Sequence, residues 1–192
     1  MMRIITGSAR GAKLIAPAGE HTRPTSERTK EAVFSMLQYE FTGRRVLDLF
    51  AGSGQMGLEA VSRGAECAVL VDSDRAAIDA ITKNAAHTRL ADRVNICRAE
   101  AEGFLRTYRG APFHLIFLDP PYKTDLVEKS LSVIASRGLL AAGGIVVCET
   151  AEPHAVFGKN EALAAHFTVL RRSRYGVAHI ALLTPCAEEV EA

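Results

Sequence analysis

Short apolar runs alternate along this chain with longer stretches in which apolar residues recur every three or four positions. Val46–Phe50, Cys67–Val71, Val94–Cys97, Phe113–Leu118 and Ile145–Cys148 are short, apolar runs that predict buried strands. The intervening stretches 54–63, 74–89, 100–108 and 124–137 carry helical spacing. Strand then helix, repeated, predicts a doubly wound α/β domain, a mostly parallel sheet covered on both faces. Two late runs, Phe167–Leu170 and Val177–Leu183, are joined through Arg171-Arg172-Ser173-Arg174-Tyr175-Gly176 and predict an antiparallel strand pair that finishes the sheet. At the front, Arg3–Leu14 has two short apolar pieces around Gly7 and Gly11, compatible with a small β-hairpin, and a loop runs on to Pro24. A helix is expected from about Thr25, where a hydroxyl side chain follows proline and Val33, Phe34, Leu37 and Phe41 recur at helical spacing. The expected organisation is an appendage over 1–24, the main domain over 25–186 and a short, frayed acidic tail over 187–192.

Composition narrows the class. A chain of 192 residues, 48% of them hydrophobic, falls in the single-domain range and has enough apolar surface for a substantial core. It contains no apolar stretch of membrane-spanning length, and Met1–Gly7 lacks the apolar core of a secretory signal, so a soluble, cytoplasmic protein is expected. Cys67, Cys97, Cys148 and Cys186 are far apart without metal-ligand spacing, which predicts free thiols and no metal site. The net charge of +1 hides an asymmetry, because residues 1–45 carry eight Lys or Arg against four Glu. Arg3, Arg10, Lys13, Arg23, Arg28 and Lys30 are therefore either candidate phosphate contacts for a nucleic acid or a solvated basic face.

Two motifs carry the chemistry. Asp48-Leu49-Phe50-Ala51-Gly52-Ser53-Gly54 follows the first strand, and Gly52-Ser53-Gly54-Gln55-Met56-Gly57 fits G-x-G-x-x-G, with Asp72 twenty residues beyond Gly52. Such a loop lets backbone approach a nucleoside closely, whether the ligand is a nicotinamide dinucleotide or S-adenosylmethionine. The second motif, Asp119-Pro120-Pro121-Tyr122, closes the apolar run Phe113–Leu118 and has no role in hydride transfer. Together they look like an S-adenosylmethionine-dependent methyltransferase acting on an exocyclic amine. In that reading Asp48 joins the hydrogen-bond network around the methionine ammonium group, Gly52, Ser53 and Gly54 form the cofactor loop, and Asp72 accepts from the ribose hydroxyls. Asp74 is expected to cap the next helix. Glu100 and Ala101 either hold the adenine, or Glu100 is an acidic residue favoured by a helix N-terminus. An exocyclic amine is a poor nucleophile because its lone pair is delocalised into the ring. The Asp119 carboxylate and the Pro120 carbonyl, accepting its two hydrogens, favour a pyramidal nitrogen while Tyr122 stacks on the base.

The chain as a whole resembles the RsmD-type bacterial 16S rRNA guanine-N2 methyltransferases. The resemblance rests on Arg3-Ile4-Ile5-x-Gly7, Arg10-Gly11-x-x-Leu14, Arg23-Pro24-Thr25 running into Glu31-Ala32-Val33-Phe34, the glycine loop, Gly57–Ala65, Asp119–Tyr122 and Tyr175-Gly176. It implies a Rossmann-like methyltransferase that binds S-adenosylmethionine and methylates N2 of a guanine in 16S rRNA, within the small ribosomal subunit or an assembly intermediate. A monomer is expected, docking RNA through Arg3, Arg10, Lys13, Arg23 and Arg28, with Arg171, Arg172 and Arg174 as a second patch. Arg23 fits equally as a structural residue pinning its loop. The rivals are an adenine-N6 or cytosine-N4 methyltransferase, which needs the same amine chemistry, and a non-catalytic RNA-binding assembly factor.

Overall fold

The computed structural model describes residues 2–18, 27–37, 41–122, 124–152, 156–158 and 160–186. The strands are β1 (Arg45–Asp48), β2 (Cys67–Asp72), β3 (Val94–Arg98), β4 (Phe113–Leu118), β5 (Leu140–Thr150), β6 (Phe167–Tyr175) and β7 (Ala178–Pro185). The helices are α1 (Glu27–Met36), α2 (Gln55–Ser62), α3 (Arg75–His87), α4 (Ala101–Thr107), α5 (Leu126–Ser136) and α6 (Glu161–Ala164), with a 3-10 turn at Ala91–Arg93. One sheet runs in the order β3-β2-β1-β4-β5-β7-β6. Its first five strands are parallel and β7 is antiparallel to both neighbours. The chain winds outward from β1 to β3 and then crosses to β4 on the other side of β1. That reversal opens a crevice at the carboxyl ends of β1 and β4, the place where open α/β sheets bind ligands.

Alternation along the strands feeds two apolar layers. On one face Val46, Leu70, Phe117 and Val147 pack with Val33 and Phe34 of α1, Leu58 and Val61 of α2 and Ile81 of α3. On the other, Leu47, Val71, Ile116 and Val146 pack with Leu105 of α4 and Leu131 and Ile134 of α5. Leu37 and Phe41 are buried as expected, although α1 ends at Met36.

The N-terminal segment pairs as a short antiparallel hairpin: Arg3 bridges Lys13, flanked by Ile4 N donating to Ala12 O and Leu14 N to Met2 O, each at 2.9 Å. Its turn is also drawn to α2: Ser8 N donates to Ser62 O at 2.8 Å and Ala9 N to Ser62 Oγ at 3.0 Å. Two local expectations are corrected. β5 begins at Leu140, five residues before the expected start, because a register shift opposite Phe113–Leu115 and a left-handed Gly143 carry the strand through a glycine pair that reads as a break. β6 continues through Arg171–Tyr175, the stretch expected to be the connection. As an edge strand it tolerates exposed arginines, which also guard it against pairing with another chain.

The appendage is held by buried charge. Glu59 of α2 is fully buried and accepts from Ile5 N at 2.7 Å, Thr6 N at 3.0 Å and Arg63 Nε at 2.8 Å. Lys30 of α1 lies 3.6 Å from the same carboxylate and donates to Arg3 O. The Arg63 guanidinium stacks over Phe34 at 4.7 Å. Gly7, in the left-handed region, sits so close to the end of α2 that a Cβ there would overlap Ser62 O. Lys30 is thus a buried structural cation, not the phosphate contact its charge suggested. Truncation of Glu59 strands Lys30 and two N–H groups in the interior, so Glu59→Ala is expected to cost about 3–5 kcal/mol in urea unfolding. A loss below about 1 kcal/mol would show that the cluster does not hold the appendage.

Candidate functional site

The crevice is lined by acids that each end an apolar strand. Asp48 closes β1 and pairs in register with Leu70 of β2 and Phe117 of β4. Asp72 and Asp119 lie two residues further along those neighbouring strands, hence on the same face of the sheet. Leu118 pairs with Cys148, so Asp119 and Glu149 follow side by side. Four carboxylates from β2, β1, β4 and β5 therefore form one row along the carboxyl edge.

Each carboxylate is bound locally. Gly54 occupies the N-cap of α2 in the left-handed region and has no side chain to cap with. Asp48 substitutes from the strand, its Oδ2 accepting from Gly57 N at 2.9 Å against the positive end of the helix. Asp72 Oδ2 accepts from Gly52 N at 2.8 Å and Oδ1 from Asp74 N at 2.9 Å, so one side chain fixes the glycine loop and the start of α3. Asp74 caps α3 through Ala76 N, as expected. Ser53 is buried; its carbonyl accepts from Asn84 Nδ2 at 2.9 Å, and its hydroxyl meets Met2 Sδ at 3.1 Å. Asn84 also exchanges two bonds with the Ile15 backbone, tying the appendage to the glycine loop.

The arrangement fits a nucleoside cofactor. Gly52 has φ +51 and nothing within 4 Å of where its Cβ would be, so the loop presents bare backbone to open space. Each Asp72 oxygen holds one N–H and retains a lone pair for a ribose hydroxyl. Glu100 is exposed at the N-cap of α4 without a capping bond, and Ala101 is the first helical residue, whose N–H has no intrahelical acceptor. At the other half of the crevice, Asp119 is partly buried, Pro120 buried and Tyr122 exposed. The Tyr122 hydroxyl donates to Glu149 Oε1 at 2.7 Å.

Burial and crowding act on the row. Asp48 is pushed up to about 7 by burial and by Asp119 and Asp72, with the Gly57 N–H opposing. Glu149 is pushed up to about 7 by burial and by Asp119, with the Tyr122 hydroxyl opposing. Glu149 was not among the residues expected at the site, although its signal was present: Val146-Val147-Cys148-Glu149 repeats the pattern of an apolar run ending in an acid seen at Asp48, Asp72 and Asp119.

Among the expected RNA contacts, Arg3 and Lys13 face each other across the N-terminal bridge. Arg10, Lys13 and Arg28 are exposed, Arg3 is exposed but pairs with Glu27 at 2.6 Å, and Arg23 lies outside the described residues. A cleft of about 220 Å³ next to Thr150 is lined by Val156, Arg172, Arg174 and His179, on the opposite face of β5 from Glu149.

The strand order, the glycine loop after β1 and the Asp119–Tyr122 turn after β4 define a Rossmann-like, S-adenosylmethionine-dependent methyltransferase. A family model described as Conserved hypothetical protein 95 matches residues 2–184, and the chain belongs to that family, the RsmD-type methyltransferases. Among its relatives, the Bacillus subtilis protein YlbH, provisionally named an rRNA methyltransferase, is 42% identical over 150 residues, covering 77% of this chain and 82% of that protein. Ribosomal RNA small subunit methyltransferase D of Escherichia coli is 37% identical over 149 residues, covering 78% and 74%. A solved Escherichia coli structure, provisionally named methyltransferase yhhF, superposes with a TM-score of 0.82 at 32% identity over 96% of this chain and 97% of its own.

Because Asp48 and Glu149 hold protons more tightly in the fold than at their ordinary values of 3.8 and 4.5, the native state binds more protons between about pH 4 and about pH 7. Stability of the cofactor-free protein should fall as pH rises through that window. Asp48→Asn keeps an acceptor for Gly57 and removes one ionisation, so the variant should recover up to about 4 kcal/mol of that fall. Urea unfolding at several pH values checks this, and an equally steep fall in the variant would refute it.

Proposed function

We propose that the chain transfers a methyl group to the exocyclic N2 of a guanine in 16S ribosomal RNA, acting as a cytoplasmic monomer on the small subunit or an assembly intermediate. The observation that carries the reading is the juxtaposition, across the β1–β4 crevice, of a nucleoside-binding half (Asp48, Gly52, Ser53, Gly54, Asp72) and an amine-binding half (Asp119, Pro120, Tyr122). The relatives named for small-subunit rRNA supply the substrate class.

When bound, S-adenosylmethionine supplies an electrophilic methyl group on a sulfonium centre. Asp72 would hold the ribose hydroxyls, Glu100 and the Ala101 N–H the adenine edge, and Asp48 would join the hydrogen-bond network of the methionine ammonium. Tyr122 offers its exposed ring as a stacking platform, and the Asp119 carboxylate and Pro120 carbonyl accept from the two amine hydrogens. Those acceptors would localise the nitrogen lone pair and stabilise the positive charge that the amine acquires on methylation. Asp119 or water then takes the surplus proton. RNA approaches over the appendage, where Arg10 and Lys13 are exposed, and along the arginines of β6; a guanine in a stacked helix must first be turned out.

The deciding experiment is methyl transfer from labelled cofactor to small subunits lacking the modification, with naked rRNA alongside, followed by nucleoside digestion and mass spectrometry. N2-methylguanosine is expected; methylated adenine or cytosine would replace the base assignment, and no transfer would favour a non-catalytic role. Asp119→Ala should reduce transfer by at least about 1,000-fold and leave cofactor affinity near wild type, whereas Asp72→Ala should weaken cofactor binding by roughly 10- to 100-fold. Calorimetry with the cofactor separates the two, and the reverse pattern would exchange the half-sites. Arg10→Ala combined with Lys13→Ala should lower the salt dependence of rRNA binding by up to about two counterions; an unchanged slope would remove the appendage from the interface.

A further inference from the structure

Glu149 has a position that methyl transfer alone does not require. It lies beside Asp119 at the end of β5, one residue beyond the Leu118 to Cys148 pair, and is 7% exposed. Neighbouring strands are about 4.8 Å apart, so the two side chains leave the sheet edge side by side on one face. One Glu149 oxygen accepts from the Tyr122 hydroxyl at 2.7 Å. The other has no hydrogen-bond partner among the described residues. A buried carboxylate next to a second carboxylate is costly to retain unless something in the reaction uses it.

The chemistry of the amino-bearing bases shows what that use is. Guanine carries a hydrogen on the ring nitrogen N1 next to its exocyclic amine, so that edge presents donors side by side. Adenine N1 and cytosine N3, the corresponding positions, are acceptors. Two neighbouring carboxylates match the guanine edge and oppose a lone pair on the other two. Resting on the reading of the site as an amine methyltransferase centre, we infer that Glu149 is the residue that selects guanine, accepting from N1–H while Asp119 and the Pro120 carbonyl hold the N2 hydrogens. The Tyr122 hydroxyl, on the ring offered for stacking, orients that carboxylate without itself reading the base. The raised proton affinity of Glu149 in the empty crevice fits the assignment: a bound N1–H donor stabilises the ionised form that burial and Asp119 disfavour.

The test maps the methylated nucleotide with the wild-type enzyme. Small subunits are then reconstituted from rRNA carrying either guanine or 2-aminopurine at that position. 2-Aminopurine keeps the exocyclic amine but has a bare lone pair at N1. The wild type should prefer guanine by at least about 100-fold in kcat/KM. Glu149→Gln, whose amide can donate to that lone pair, should lose guanine activity and narrow the ratio to under about tenfold. Tyr122→Phe removes the hydroxyl but leaves the carboxylate, so it should retain the preference for guanine whatever its rate. Near-equal use of the two bases by the wild type would overturn the inference, and that arm stands even if the Glu149 variant misfolds. A Glu149→Gln variant that loses both activities in proportion would overturn it as well, because a purely structural role predicts that result. Absence of wild-type transfer to the guanine-bearing particle would instead sink the methyltransferase reading on which the inference rests.

Discussion

Four carboxylates on four adjacent strands, crowded along one edge of the sheet, are the constraint around which this molecule is built. Like charges at that spacing repel, and partial burial raises the cost further. The fold offsets it with backbone dipoles: Gly57 N–H for Asp48, and Gly52 and Asp74 N–H for Asp72. What remains is an electronegative crevice suited to a cationic cofactor and a donor-rich base. The demand explains the local sequence. Gly52 and Gly54 turn the chain so that amides face the acids, and Gly57 brings α2 close enough that a Cβ there would stand 3.0 Å from Leu70 and 3.4 Å from Asp48 Cβ.

The appendage belongs to the same construction. Glu59 holds Ile5 and Thr6, Ser62 holds the turn at Ser8 and Ala9, and Asn84 holds Ile15 through both its Oδ1 and its Nδ2, the Nδ2 donating to the Ser53 carbonyl as well. A displacement of residues 3–15 is thereby felt at the cofactor loop. Contacts of this kind let the appendage and the glycine-loop crevice share one frame.

Much of this was legible in the sequence because the relevant signals are local. Apolar runs ending in an acid placed β1, β2 and β4 with their site residues, and Asp74 read correctly as a helix cap. What escaped is non-local or runs against local preference. Glu149 ends a strand in the same way as the other acids, but no motif surrounds it, and its meaning comes from Asp119 one strand away. Lys30 read as a phosphate contact or part of a solvated basic face, and only tertiary packing buries it beside Glu59. The strand was expected only from Ile145, yet β5 begins at Leu140 and runs past Gly143 and Gly144 through a register shift. Arg171–Tyr175 looked like a connection because edge strands need not be apolar.

The bonds that fasten residues 5–15 reach partners 53 to 69 positions later in the chain. During synthesis residues 5–15 therefore have nothing to dock on until α2 and then α3 have followed them, and closing so long a loop is entropically slow. At about 5–20 residues per second, that segment waits for several seconds as an unpaired strand of polar backbone and scattered cations. The glycine loop acquires its final support only after Asn84 arrives.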